Sequence, residues 1–191
     1  MLNRAFFEPL KQIHTSRARE RRSLQECAGQ ILSAAKRSIF ATQRSDAKMA
    51  ANELKTCVEY LKKGKSLIKK FQSLENEGMW RSALEEYAEA SLYAMVMGGK
   101  DIGAVREIAP DDAGTYVGAL SDLTGELTRS CVLVATERNL KEVKRLSGLV
   151  REVVAFLLEM DLTGSDRQKF DQAKQNLRKI EEIAFDLSLV G

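Results

Sequence analysis

Apolar side chains return at spacings of three and four along most of the chain, and no stretch alternates apolar with polar, so the pattern predicts helices and no strands. The first helix is expected over about Asn3 to Ala41, bent near Pro9, with a stripe of Leu24, Cys27, Ile31, Ala34 and Ile39. A second, capped by Ser45 with Asp46, should reach about Leu74 on Ala50, Leu54, Val58, Leu61, Ile68 and Phe71. Gly64 sits inside that pattern at a cost of about 1 kcal/mol in helix propensity relative to alanine. After a break at Asn76-Glu77-Gly78, a third helix runs from Met79 to about Met97 and is closed by Gly98-Gly99. Asp101 to Ala109 reads as a loop, and Pro110, Asp111 and Asp112 suit the first turn of a fourth helix reaching about Glu137. Two more follow, about Leu140–Asp161 and, past Thr163-Gly164-Ser165, Asp166 to about Leu189. The last is amphipathic through Phe170, Leu177, Ile180, Ile183 and Leu187. The expectation is an all-α single domain over residues 1–191, about six to seven helices in an antiparallel bundle, with no internal repeat.

Composition narrows the chemistry. With 44% hydrophobic and 30% charged residues in 191, the chain can build its own core. Cys27, Cys57 and Cys131 are too few and too scattered for a disulfide framework or a zinc site, and read as buried, reduced thiols. The single histidine, His14, reads as a surface or capping residue and excludes paired ExxH di-iron ligands, an HExxH zinc site and a Ser-His-Asp triad. The longest apolar stretch, Ala88 to Met97, is about half a membrane span. Met1 to Leu10 carries Glu8 and Pro9 in place of a signal-peptide core, so a cytoplasmic location is expected.

Charge is divided along the chain. Residues 1–72 hold 16 Lys/Arg against 6 Asp/Glu, whereas residues 73–191 hold 14 against 21. The basic half has two concentrations: Arg17, Arg19, Arg21 and Arg22, and Lys62, Lys63, Lys65, Lys69 and Lys70. Such faces suit polyanions, nucleic acid first among them, or are simply solvated helix surfaces.

Two acidic pairs fall on helices that are otherwise apolar. Glu86 and Glu89 lie three apart on the third helix, among Leu84, Tyr87, Ala88, Ala90, Leu92 and Tyr93. Asp122 and Glu126 lie four apart on the fourth, among Val117, Leu120, Leu123 and Leu127. Carboxylates gathered in low dielectric repel and hold protons unless a cation intervenes. A hard divalent ion, Mg²⁺ or Mn²⁺, relieves them and can activate water for phosphodiester cleavage without a histidine. The plainer alternative has Glu86 and Glu89 pairing with Arg81 or lysines on a solvent groove and Glu126 pairing with Arg129, and spacing alone favours it.

Longer motifs change the balance. Glu86-Tyr87-Ala88-Glu89-Ala90, the run Asp122-Leu123-Thr124-Gly125-Glu126-Leu127 with Arg129, Trp80-Arg81, and the ending Ile180-Glu181-Glu182-Ile183-Ala184-Phe185-Asp186-Leu187-Ser188 resemble the translin family, and more closely its translin-associated factor X (TRAX) branch. The resemblance runs from about residue 20 to the end, departing from the common pattern at Glu85 (often Gln), Ala88 (often Val) and Ala119. It implies about seven helices assembled into an octameric shell, a homo-oligomer or one completed by a second translin-family subunit. In the TRAX branch it further implies Mg²⁺-dependent endoribonuclease activity on single-stranded RNA, with Glu86, Glu89, Asp122 and Glu126 as catalytic and metal-binding acids. The translin branch, which typically lacks the acid pair on the third helix, implies the rival: a scaffold that binds single-stranded RNA or DNA without cutting it. On either reading the arginine and lysine clusters are the expected RNA track, joined by Arg81, with Trp80 a base-stacking or, more simply, a packing residue.

Overall fold

The computed structural model describes the backbone of residues 1–190 and the side chains of residues 1–188. It is helical throughout, with no strand among the described residues: α1 (Arg4–Gln43), α2 (Ala47–Ile68), α3 (Gly78–Met97), α4 (Ala113–Thr136), α5 (Leu140–Leu158) and α6 (Gly164–Val190), plus a 3₁₀ turn at Gln72–Asn76. The expected all-α architecture stands. None of the helices is long and apolar enough to cross a membrane.

Capping side chains fix where the helices begin. Asn3, Asp46, Asp112 and Asn139 each accept a hydrogen bond from a backbone N–H three residues on, satisfying a donor that the first turn leaves free. Three boundaries differ from the sequence expectation. Asp46 alone caps α2, because Ser45 takes the left-handed turn (φ 60°) that reverses the chain between α1 and α2. The second helix ends at Ile68, where Phe71 becomes extended and the following 3₁₀ turn buries Leu74. Pro110 lies outside α4, whose start is set by Asp112. Pro9 sits within a continuous α1, on an exposed stretch where water can satisfy the carbonyl that its missing N–H leaves unpaired.

Helix α1 packs on α2 and α3, α3 on α4, and α4 on both α5 and α6. Short reversals at Arg44–Asp46 and Glu137–Asn139 make α1/α2 and α4/α5 antiparallel neighbours. One continuous core runs through the bundle, with Leu24, Ile31, Leu61, Tyr93, Leu123, Leu127, Leu146 and Ile180 fully enclosed. Where α1, α3 and α4 meet, the buried positions are often alanine (Ala34, Ala35, Ala83, Ala88, Ala90, Ala119), which lets helix axes approach closely. All three cysteines are buried free thiols, as expected, and burial pushes Cys57 up to about 12. His14 lies on the exposed first half of α1, a stretch in which nothing before Leu24 is buried.

Gly64 has a packing reason. The buried Trp80 ring occupies the space that a Cβ at position 64 would need, so α2 and α3 close only on a glycine. Trp80 is therefore a packing residue. Overfilling a core costs about 1–3 kcal/mol while alanine regains about 1 kcal/mol of helix propensity. Because the new Cβ would fall directly on the Trp80 ring, the upper part of that range applies and Gly64→Ala is expected to lower stability by up to about 2 kcal/mol, seen as a lower urea midpoint at unchanged slope. A midpoint at or above wild type overturns this account.

A carboxylate cleft as candidate active site

Three helices build a cleft of about 220 Å³. From α1 come Lys36, Ile39 and Phe40, from α3 Glu86 and Glu89, and from α4 Glu126 and Arg129. The 3-residue spacing on α3 and the packing of α3 against α4 bring acids 37 or more residues apart in sequence onto one wall. Asp122 lies one turn before Glu126 and acts electrostatically on both α3 acids, but does not line the cleft.

The four acids have unequal partners. Glu126 accepts a hydrogen bond from Gln43 Nε2 at 2.6 Å, and Arg129 Nη1 stands 3.8 Å from the same oxygen. Glu86 faces Lys36 Nζ at 3.8 Å. Asp122 accepts from Lys169 Nζ of α6 at 2.6 Å, and the same ammonium donates to Glu85 at 2.6 Å. Glu89 is only 7% exposed, and among the described residues no cation or hydrogen-bond donor reaches its carboxylate. Burial, then repulsion from Asp122, Glu86 and Glu126, pushes Glu89 up to about 8 against a weaker pull from Lys169. Burial raises Glu86 as well, against the pull of Lys36. Burial depresses the Lys169 ammonium, but its hydrogen bonds to Asp122 and Glu85 more than offset this, leaving it raised.

Oxygen-only donors around an unpartnered buried acid suit a hard divalent cation in kind. They do not form a finished cage: among the described residues no three His, Cys, Asp or Glu groups stand close enough to hold an ion as they are. An ion would have to draw the cleft acids inward and take Asp122 from Lys169.

The basic residues divide in the same way. Arg17 and Arg21 bind Glu77, Lys65 binds Glu107, and Lys70 binds Glu20, so these four are partly neutralised within the fold. Arg19, Arg22, Lys62, Lys63 and Lys69 are exposed and carry no ion pair among the described residues, Lys63 resting over the Tyr60 ring at 4.4 Å. Arg81 points to the start of α4, its guanidinium against Gly114, and does not line the cleft. It pairs with neither Glu86 nor Glu89, whose helix is served instead by Lys36. Lys36, Gln43, Phe40 and Lys169 carry no signal in the sequence. Each lies far along the chain from the acids it faces, and no local motif marks it.

The raised Glu89 makes stability depend on pH. The folded chain holds a proton that the unfolded chain has lost, so stability falls as pH rises from about 4.5 to about 8, by no more than about 5 kcal/mol. Glu89→Gln, which resembles the protonated acid, is expected to flatten that slope and to be more stable than wild type near the top of the window. Urea unfolding across the range in the presence of a chelator measures it. A variant with an unchanged pH profile contradicts the assignment.

Solved structures share this fold. The crystal structure of apo-NeC3PO superposes with a TM-score of 0.84 at 20% identity, covering 98% of each chain. That of AfC3PO gives 0.82 at 17% identity, covering 100% of this chain and 98% of the other. A complex of AfC3PO with duplex RNA gives 0.82 at 18%, covering 96% and 97%. No curated protein matches by sequence. The Translin family model matches residues 19–191, and the chain therefore belongs to the Translin family.

Proposed function

We propose that this protein is a TRAX-like, Mg²⁺- or Mn²⁺-dependent endoribonuclease that cuts single-stranded RNA within an oligomeric, octamer-like shell. The observation that carries the reading is the cleft itself: Glu86, Glu89 and Glu126 converge there from two helices, and Glu89 is buried with no ion pair or hydrogen bond to its carboxylate among the described residues. A structural ion-pair network balances its charges, whereas this one leaves an acid that an added cation would stabilise.

Glu86, Glu89 and Glu126, joined by Asp122, would hold the ion, which when bound supplies Lewis acidity and a water of lowered pKa. The chain's own groups do the rest. Lys36 and Arg129 line the same cleft and are held only loosely, each 3.8 Å from a carboxylate, so both are available to phosphate oxygens. Phe40, 53% exposed beside them, offers a ring on which a base can stack. Glu89, which burial and its acidic neighbours favour in the protonated form, would give up that proton to take the ion. Gln43 fixes one Glu126 oxygen and leaves the other for the ion. AfC3PO in complex with duplex RNA supports RNA as the ligand class.

Uncovered apolar surface supports assembly. Leu2 just before α1, and Phe6, Phe7, Leu10 and Ile13 on the part of α1 that buries nothing, are exposed, and Ile102, Pro110, Tyr116, Leu149, Phe156 and Met160 line an apolar hollow of about 550 Å³. The rival reading, a non-cutting RNA or DNA scaffold, is favoured by the short Lys169–Asp122 and Gln43–Glu126 contacts, which make half of the quartet look structural.

Incubation with labelled single-stranded and duplex RNA separates them. Cleavage of the single strand is expected with Mg²⁺ or Mn²⁺ and lost with EDTA. Glu89→Ala or Glu126→Ala should abolish it, with oligomeric state and RNA affinity retained. Intact RNA with either metal sinks the nuclease reading and leaves the scaffold. Neutralising Lys62, Lys63 and Lys69 together to glutamine is expected to weaken RNA binding. It should also reduce the slope of log K against log salt by about 2, because each single-strand phosphate no longer neutralised removes about 0.7 from it. An unchanged slope removes this face from the RNA track.

A further inference from the structure

Asp122 stands outside the cleft that its three companions line, and its carboxylate is held by one ammonium. Lys169 reaches from α6 to donate to Asp122 Oδ2 and Glu85 Oε2, both at 2.6 Å, tying α6 to α4 and α3 at once. Glu85 is seated for this: it lies over Gly118 of α4 so closely that a Cβ there would stand 2.9 Å from its carboxyl carbon. It is also the acid immediately before the cleft pair. This chain therefore places a second full negative charge against Lys169.

We propose that Lys169 is an internal counter-cation that holds Asp122 out of the cleft in the absence of metal, and that Glu85 retains the ammonium when Asp122 turns inward to a bound divalent ion. Both are positioning residues, and the inference rests on the metal-dependent reading of the cleft. The exchange works because a half-buried ammonium is costly to leave without a carboxylate acceptor. With Glu85 in place, Lys169 gives up one charge-assisted hydrogen bond and keeps the other. Without Glu85, each ion bound would strand the ammonium. Without Lys169, Asp122 is free at the outset and one positive charge fewer, with Lys36 and Arg129 remaining, opposes the incoming cation.

Mn²⁺ titration of the full-length protein, followed by calorimetry and by the electron paramagnetic resonance of free Mn²⁺, tests this without RNA. Lys169→Met is expected to bind Mn²⁺ about tenfold more tightly, a change of about 1.4 kcal/mol. Lys169→Arg, which keeps both pairs, should bind as wild type does. Glu85→Gln should weaken binding severalfold, and that weakening should disappear in the Lys169→Met background, whereas a plain loss of attraction to the ion would persist there. Lys169→Gln serves in place of Lys169→Met if thermal melting shows the latter unfolded. Equal or weaker affinity on removing Lys169, or an equal Glu85→Gln effect in both backgrounds, overturns the proposal. If wild type binds Mn²⁺ and Glu89→Gln abolishes it, such a result leaves the metal reading standing and removes only the Lys169 exchange. If neither wild type nor Lys169→Met binds Mn²⁺, both fall. Glu89-dependent binding in Lys169→Met alone supports both.

Discussion

The acids between α3 and α4 outnumber the cations that can reach them, and the rest of the site is organised by that deficit. Glu85, Glu86, Glu89, Asp122 and Glu126 face Lys36, Arg129 and Lys169, and two of those three cations stand 3.8 Å from their acids on exposed side chains. Burial first, and then repulsion from the neighbouring acids, favours the protonated form of Glu89, the most buried of them. The surrounding bundle supplies the stability that the cluster withholds, through a continuous core and alanine-lined contacts of α1 with α3 and α3 with α4.

Much of this is legible in the chain and some of it cannot be. Three-to-four spacing carries helix existence directly, because it is set by a local period, and all six long helices follow it. Boundaries are less secure, since one hydrogen bond decides them. Ser45 and Asp46 both have capping side chains, yet only Asp46 caps, because the reversal before α2 places Ser45 at positive φ. The α3 and α4 acids are visible as pairs because i,i+3 and i,i+4 spacing is local, and the resemblance joins the pairs into one site. Their partners are not. Gln43 lies 83 residues from Glu126 and Lys169 lies 47 from Asp122, separations at which no periodicity links one side chain to another. The same limit applies to the basic surface. A run of lysines reads as uniform in sequence, but Glu107 and Glu20, brought in from elsewhere, neutralise Lys65 and Lys70 and leave Lys62, Lys63 and Lys69 as the open charges.

Glycines show the same division between local cost and distant cause. In the sequence Gly64 is a defect in a good helix. In the fold it is the position over which Trp80 closes α3 onto α2, and Gly118 does the equivalent for Glu85 against α4. In each case a residue that weakens its own helix admits a large side chain from a neighbour, one apolar and one charged. The second admits the acid that completes the Lys169 bridge, so the tight α3–α4 packing and the electrostatics of the site are set by the same atoms.

Whether the acidic cluster serves chemistry or architecture turns on what a protein gains by retaining it. An architectural network lowers the energy of the folded state, so its members come in matched pairs and its loss leaves a buried charge exposed to low dielectric. The described cleft departs from that at Glu89, which is the most buried of the acids and the one without a partner. Replacing it with an apolar residue of similar size would relieve both desolvation and repulsion, so folding alone gives no reason to keep it. Lys169 and Gln43 show that this fold can supply a partner to an acid when one is needed, at 2.6 Å in each case. Leaving Glu89 without one, beside two other acids and open to a cleft large enough for an ion and its waters, is a strain that a bound cation would discharge.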